Sequence, residues 1–395
     1  MMLLGRKGPA AVRGLRIRRK IMKKLGFGLM RLPLLDADNP KKIDRETVYQ
    51  MADLFLEQGF SYFDTAYPYH EGISEIAFRE AVVKRHPRNA YTITDKLPLY
   101  LLRKEDEMEQ IFRQQLERLG LDFIDYYWLH NVGTASYATA KRLGAFEFVR
   151  RKKEQGMVGH IGFSFHDRAD LLDRVLTEHP EMEFVQLQLN YLDWEDANVQ
   201  ARLCYETAVR HGKRVMVMEP VKGGTLASLP PKAMERLEKY RPGLSPAGWA
   251  LLFAASRKAV VTVLSGMSDR RQMEENLRVM ENQPPLTADE EQALLQVAEL
   301  LRAKIAVPCT ACRYCVAGCP KHIAIPDYFS LYNNLCRFGS EQWGNVNAYY
   351  GNLTQNHGKA SDCVGCGACE AHCPQHLPIR EHLRRVAEAL EQGGN

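Results

Sequence analysis

From Lys24 to about Ala259, short runs rich in β-branched and aromatic residues alternate with longer stretches whose apolar positions recur every three or four residues. The short runs have strand character and the long ones helical amphipathicity, an order that predicts parallel strands joined by helices. Strands are expected at Leu25-Leu29, Tyr62-Asp64, Tyr91-Thr94, Phe123-Leu129, His160-Phe163, Phe184-Leu187, Val215-Met218 and Val261-Leu264. Helices are expected over Glu46-Glu57, Ser74-Lys84, Lys104-Leu119, Ala145-Gln155, Arg168-Thr177, Ala197-His211 and Pro246-Ser256. Eight strand-helix units within residues 22-284 predict an α/β fold closed on itself, the (β/α)8 TIM barrel, whose usual length they match.

The pattern changes after Pro284-Pro285. Thr287 and Glu290 have the spacing of a capping box, which predicts a helix to about Lys304, so that 285-304 reads as a connecting helix. Beyond it the chain turns to cysteine, glycine, asparagine and proline, and 305-395 is read as a second domain, small, largely helical and loop-rich, closed by a helix from about Ile379 to Glu391. No run of eighteen apolar residues occurs, so neither a membrane span nor a membrane partner is expected.

Charge changes the picture only at the start. Residues 1-21 carry seven of the positive charges and no acid, and read as a basic, disordered extension. Without them the net charge of +5 becomes slightly negative, which argues against a nucleic-acid partner. Arg18-Arg19 precede an apolar stretch, as in a twin-arginine export signal. Arg31 interrupts that stretch and no small-residue cleavage site follows, so the cytoplasm is the expected location.

Nine of the ten cysteines fall between residues 309 and 373, too clustered for a disulfide framework in a chain without a secretory signal. Cys309, Cys312, Cys315 and Cys319-Pro320 have the spacing C-x2-C-x2-C-x3-C-P, and Cys363, Cys366, Cys369 and Cys373-Pro374 repeat it. Three thiolates at three-residue intervals can reach three irons of one cubane, while the fourth, thrown away by its proline, serves the other. One set is then Cys309, Cys312, Cys315 and Cys373, the other Cys363, Cys366, Cys369 and Cys319. Structural zinc uses C-x2-C pairs separated by a longer loop, a pattern this run does not follow. The segment resembles bacterial two-cluster ferredoxins, which implies two 4Fe-4S clusters; it departs from them in the long stretch Lys321 to Asp362. Cys204 reads as a small buried hydrophobe, and Cys336 has no partner in the motif.

Polar residues that a barrel core does not need stand at the expected strand ends: Asp64, Lys96 after the third strand, His130 ending the fourth, and Tyr69 five residues past Asp64. Catalytic groups of this fold come from such positions. Reducing a carbonyl with hydride requires a proton for the developing alkoxide. A phenol of ordinary pKa near 10 is a weak acid unless tuned, which a lysine held by an aspartate can do. His130 would steer the carbonyl oxygen.

The stretch FDTAYPYHEGISE (Phe63 to Glu75), DKLP around Lys96 and DYYWLH ending at His130 resemble the aldo/keto reductase family, and the resemblance runs from about Lys24 to Asn282. It implies a tetrad of Asp64, Tyr69, Lys96 and His130 acting on a small carbonyl substrate with NAD(P)H. It also implies carboxamide contacts from Ser164 (IGFSFH) and Gln186 (VQLQLNY), with Glu275 and Asn276 (MEENL) near the adenine. Three positions depart from the family. Met218 replaces the aromatic that stacks on nicotinamide, Phe165 replaces an asparagine, and Gln272 stands where NADP-selective members have arginine, which leaves NADH and NADPH both open. Gly223-Gly224 after Lys222 could approach a pyrophosphate, though a glycine pair is more often a turn. Tyr67, Trp128 and Trp194 fit either the pocket or the core.

Joining the halves raises an electronic mismatch, since nicotinamide moves two electrons as hydride and each cubane moves one. A flavin, or an external one-electron partner such as a ferredoxin or flavodoxin, would bridge it. In the alternative reading the chain is an electron-transfer protein whose barrel is a non-catalytic scaffold, against which the intact tetrad argues.

Overall fold

The computed structural model describes residues 23–36, 39–196, 199–303, 305–338 and 343–391; the basic extension expected at 1-21 lies outside them. Eight parallel strands close into a barrel in sequence order: β1 (Leu25–Gly28), β2 (Tyr62–Asp64), β3 (Thr92–Pro98), β4 (Ile124–Val132), β5 (Val158–Phe165), β6 (Phe184–Gln188), β7 (Arg214–Met218) and β8 (Val260–Ser265). Every expected strand is present. β3 and β4 run further than periodicity predicted, so Lys96 lies within its strand rather than after it, and β4 continues two residues past His130.

Because side chains alternate along a strand, the residues two positions below Asp64, His130, Gln186 and Met218 share the barrel interior with them. Tyr62, Trp128, Phe184, Met216 and Leu264 pack there as one apolar layer, with the Tyr62 hydroxyl bonded to the Thr94 hydroxyl. Trp128 fits because Gly162 faces it: a Cβ there would meet the Phe184 carbonyl oxygen at 2.4 Å and the indole at 2.7 Å. This layer is the floor of the site. Directly above it, on the same inward rows, stand Asp64, Lys96, His130, Ser164, Gln186 and Met218.

Among the helices outside the barrel, Thr134–Leu143, Pro231–Glu238 and Arg270–Asn282 were not anticipated from periodicity alone. The capping box at Thr287 and Glu290 forms as expected and starts Ala288–Arg302. Its buried face (Ala293, Leu294, Val297, Ala298, Leu301) joins the barrel core, and a double contact from Arg241 to Glu290 ties it down. The second domain has its own core, in which Ile325–Phe338 and Ile379–Glu391 pack around the cysteine loops. Among the described residues no helix is long and apolar enough to cross a membrane.

Candidate active site and cysteine cavities

At the C-terminal mouth of the barrel the four residues expected to act together do meet. Lys96 Nζ donates to Asp64 Oδ1 at 2.5 Å and to the Thr65 carbonyl at 2.6 Å, and lies 3.4 Å from the Tyr69 hydroxyl. The ammonium also sits 4.9 Å from the centre of the Tyr69 ring. The His130 ring meets that of Tyr69 edge-on, centroids 6.0 Å apart. Asp64 can hold Lys96 because it ends β2, in register beside β3; Tyr69 reaches back from the loop after β2, where His70 and Glu71 adopt left-handed backbone.

Burial dominates the electrostatics at the phenol. Burial raises the Tyr69 pKa well above 10, the Asp64 carboxylate adds to the effect, and the lowering influence comes from Arg31. Tyr69 therefore keeps its proton at neutral pH, with the Lys96 ammonium within reach of its oxygen. Burial, and then the charge of Lys96, holds His130 well below 6.5, so its imidazole is neutral. Burial raises Asp64 against the pull of Lys96.

The other expected positions line adjacent strand ends. Ser164 and Gln186 are cross-strand partners; the Ser164 hydroxyl accepts the Asn131 N–H at 2.8 Å, and Gln186 Nε2 donates to Asp64 Oδ2 at 3.1 Å. Met218 ends β7 opposite Gln188. Gln272, Glu275 and Asn276 share the helix that starts beyond β8. Gln272 is occupied locally with Asp269 and Ser268, Asn276 donates to Ser265 Oγ, and Glu275 has a buried Oε1 without a protein partner among the described residues. Trp128 belongs to the floor, Trp194 packs on Phe253, and Tyr67 lies beneath Arg118 with its hydroxyl on Gln114.

The cysteines enclose two small cavities. One, the near cavity, is lined by Cys309, Cys312, Cys315 and Cys373. The other, the far cavity, is lined by Cys319, Cys363, Cys366 and Cys369. These are the two crossed sets expected from the spacing. Burial raises the thiols of Cys309, Cys312 and Cys315. Cys204 is buried in the barrel wall, its Sγ 3.6 Å from the Asp167 carbonyl.

Sequence reasoning missed how the near cavity meets the barrel. Arg31, just past β1, donates to Glu219 Oε1 at 3.1 Å and to the Thr310 carbonyl at 3.0 Å. Gly223 and Gly224 lie in a tight turn, the commoner reading of such a pair, and Gly223 faces the second domain: a Cβ on it would clash with the Thr310 carbonyl oxygen. Gln188 and Gln375 exchange two hydrogen bonds, at 2.9 and 2.7 Å. Gln188 also reaches Asp193, which holds the buried Lys222 at 2.5 Å. From the second domain, the Tyr314 hydroxyl stands 3.3 Å from His130 Nε2. The one signal in the chain was Arg31, a charge interrupting an apolar run at a strand end.

Residues 24–299 match the model of the aldo/keto reductase family, and residues 308–377 that of a 4Fe-4S dicluster domain. An aldo-keto reductase of Mycolicibacterium vanbaalenii is 28% identical over 242 residues, 60% of this chain and 79% of its own length. A solved aldo-keto reductase of Bacillus halodurans, in its holo form, superposes with a TM-score of 0.56 at 24% identity, covering 69% of this chain and 91% of its own. One from Klebsiella pneumoniae, solved in complex with NADPH, does so with a TM-score of 0.53 at 17% identity, covering 71% and 91%. At such identities the two solved structures bear on the fold alone.

Proposed function

The chain belongs to the aldo/keto reductase family over residues 24–299, and we propose that it is an oxidoreductase that reduces a small aldehyde or ketone at the barrel mouth. The observation that carries this reading is Lys96, held by Asp64 and 3.4 Å from the hydroxyl of Tyr69 beside a neutral His130. Tyr69 retains its proton until an oxygen anion develops next to it, and the adjacent ammonium then stabilises the phenolate left behind. His130, uncharged, orients the carbonyl oxygen by a hydrogen bond.

A bound nicotinamide would supply the hydride. The residues suit such a group: Ser164 has a hydroxyl hydrogen left to donate, and Gln186 has a carbonyl left to accept, as a carboxamide requires. Met218 offers a polarisable surface to a flat ring. The buried, unpartnered oxygen of Glu275 fits an amino group of adenine. The fold is shared with a Klebsiella protein solved with NADPH, while Gln272, engaged in its own helix cap, offers no charge for a 2′-phosphate.

The second half of the proposal is a 4Fe-4S cluster in each cysteine-lined cavity, for single-electron exchange with a ferredoxin, flavodoxin or similar carrier. Four thiols surrounding a cavity suit a cubane, whose irons are spread at its corners.

Anaerobic purification with iron, sulfide and flavin analysis, followed by titration with NADH and NADPH, tests both halves. About eight irons per chain are expected for two cubanes; stoichiometric flavin would identify the intermediary between hydride and single electrons. Tyr69→Phe should abolish carbonyl reduction and leave cluster reduction by dithionite unchanged. Wild-type turnover in that variant would overturn the catalytic reading. Clusters that reduce normally in a wild-type protein inert toward every carbonyl would favour the barrel as a scaffold.

A further inference from the structure

The two domains share one loop. Tyr314 lies between Cys312 and Cys315, so the same short segment that lines the near cavity also enters the barrel mouth. Its hydroxyl stands 3.3 Å from His130 Nε2. Its ring packs against His130 and Tyr100, with centroids 6.3 Å away in each case. Tyr100 in turn meets His130 at 6.0 Å. His130 is thus ringed by three tyrosines, of which only Tyr69 and Tyr100 come from the barrel itself.

Docking does not depend on this contact. Shorter bonds fix the loop: Arg31 on the Thr310 carbonyl, the reciprocal pair Gln188 and Gln375, and His376 Nε2 at 3.1 Å from the His166 carbonyl. Together they anchor both sequence segments of the near cavity to the ends of several barrel strands. By comparison the bond from Tyr314 to His130 is long, and weak bonds of that length are readily exchanged. Tyr314 is also partly exposed, and its hydroxyl can donate one bond and accept others. A phenol held in place by its neighbours, and weakly committed itself, is suited to meet an incoming oxygen.

We infer that Tyr314 is a residue of the barrel's active site, contributed by the second domain, and that its hydroxyl hydrogen-bonds the substrate oxygen alongside Tyr69 and His130. The nature of that oxygen rests on the carbonyl-reducing reading; the presence of Tyr314 at the site rests on geometry alone. It follows that the near cysteine loop forms one wall of the substrate chamber. Disturbing that loop then alters substrate selection even in a reaction that draws its hydride from a nicotinamide.

Two measurements on the full chain, purified anaerobically, test this. Dithionite-reduced protein is titrated with benzyl alcohol, which cannot be reduced further, while the electron paramagnetic resonance spectrum is recorded. The signal of the near cluster should change shape in the wild type and not in Tyr314→Phe. On preparations of matched iron content, kcat/KM for benzaldehyde with NADPH should fall about tenfold in that variant, mainly through KM, with the pH profile of kcat unmoved. A wild-type spectrum indifferent to benzyl alcohol overturns the assignment, and so does an iron-replete Tyr314→Phe with wild-type kcat/KM. Should the variant fail to hold iron, the wild-type spectrum decides. A spectral response without any benzaldehyde turnover would count against carbonyl reduction while supporting Tyr314 as part of the site.

Discussion

Replacing Lys96 by methionine removes the cation on which the barrel mouth is built, at nearly unchanged side-chain volume. Lys96 and Asp64 are almost dry, 1% and 3% exposed, with Nζ 2.5 Å from Oδ1. Opposite charges about 4 Å apart attract by about 4 kcal/mol at an effective dielectric of about 20. In the variant, Asp64 keeps a hydrogen bond from Gln186 at 3.1 Å and loses its counter-charge. Stranding one member of a buried pair costs about 3–5 kcal/mol. Asp64 has an escape, because burial already raises its pKa against the pull of Lys96. Protonation in the variant limits the penalty to the lower end of that range. The expected loss is therefore about 3 kcal/mol, together with loss of carbonyl reduction. Asp64→Asn combined with Lys96→Met removes both charges and should recover at least about 2 kcal/mol while staying inactive, since the ion pair then has no orphan to bury. Anaerobic urea unfolding, followed through the barrel tryptophans Trp128, Trp194 and Trp249, compares the three proteins with their clusters in place. A double variant no more stable than Lys96→Met would refute the argument that an uncompensated Asp64 charge is the source of the loss.

Behind β3, Glu75 and Asp95 are buried together, and burial raises both above the ordinary carboxylate range, the Asp95 charge adding to the effect on Glu75 and Arg118 opposing it. Carboxyls with raised folded-state pKa values contribute stability that is fully present below about pH 4 and is lost as pH climbs through those values. Thermal midpoints should thus decline as pH rises above about 4, the ordinary carboxylate range, and Glu75→Gln should flatten the decline; an equal slope in both proteins would contradict it. Gly223→Ala puts a Cβ 2.1 Å from the Thr310 carbonyl oxygen at a φ of +61°, so it should force the cysteine loop off the barrel. Lower iron retention after gel filtration is the readout, and full retention would count against close docking there. Cys373→Ser should damage the cluster of the near cavity and spare that of Cys363, Cys366 and Cys369. Electron paramagnetic resonance distinguishes them, and selective loss of the far signal would reverse the crossed assignment.

What could be read from the chain followed from local regularity. Strand and helix order came from periodicities spanning a handful of residues, and those same periods placed Asp64, Lys96 and His130 at the ends of strands. The boundaries of β3 and β4 were read short because Lys96 and His130 break the apolar pattern where they point into the mouth; polarity there reflects the site and not the end of the strand. The cysteine sets were legible because ligand spacing is dictated by the size of the cubane, independent of the surrounding fold.

The docking of the halves had no such local mark. His130 and Tyr314 lie 184 positions apart, and Arg31 and Thr310 lie 279 apart, separations at which no periodicity links one residue to another. Nor could the chain reveal that the Tyr69 phenol is raised by burial: lysine beside tyrosine is visible as a motif, whereas the loss of water around both depends on what the barrel and the cysteine loop jointly cover. The sequence by itself determined the elements, the polar strand ends and the thiol sets, since each is governed by short-range geometry. Tertiary structure alone decided which surface meets which, because desolvation and charge at the mouth arise from all the strands and the second domain acting together.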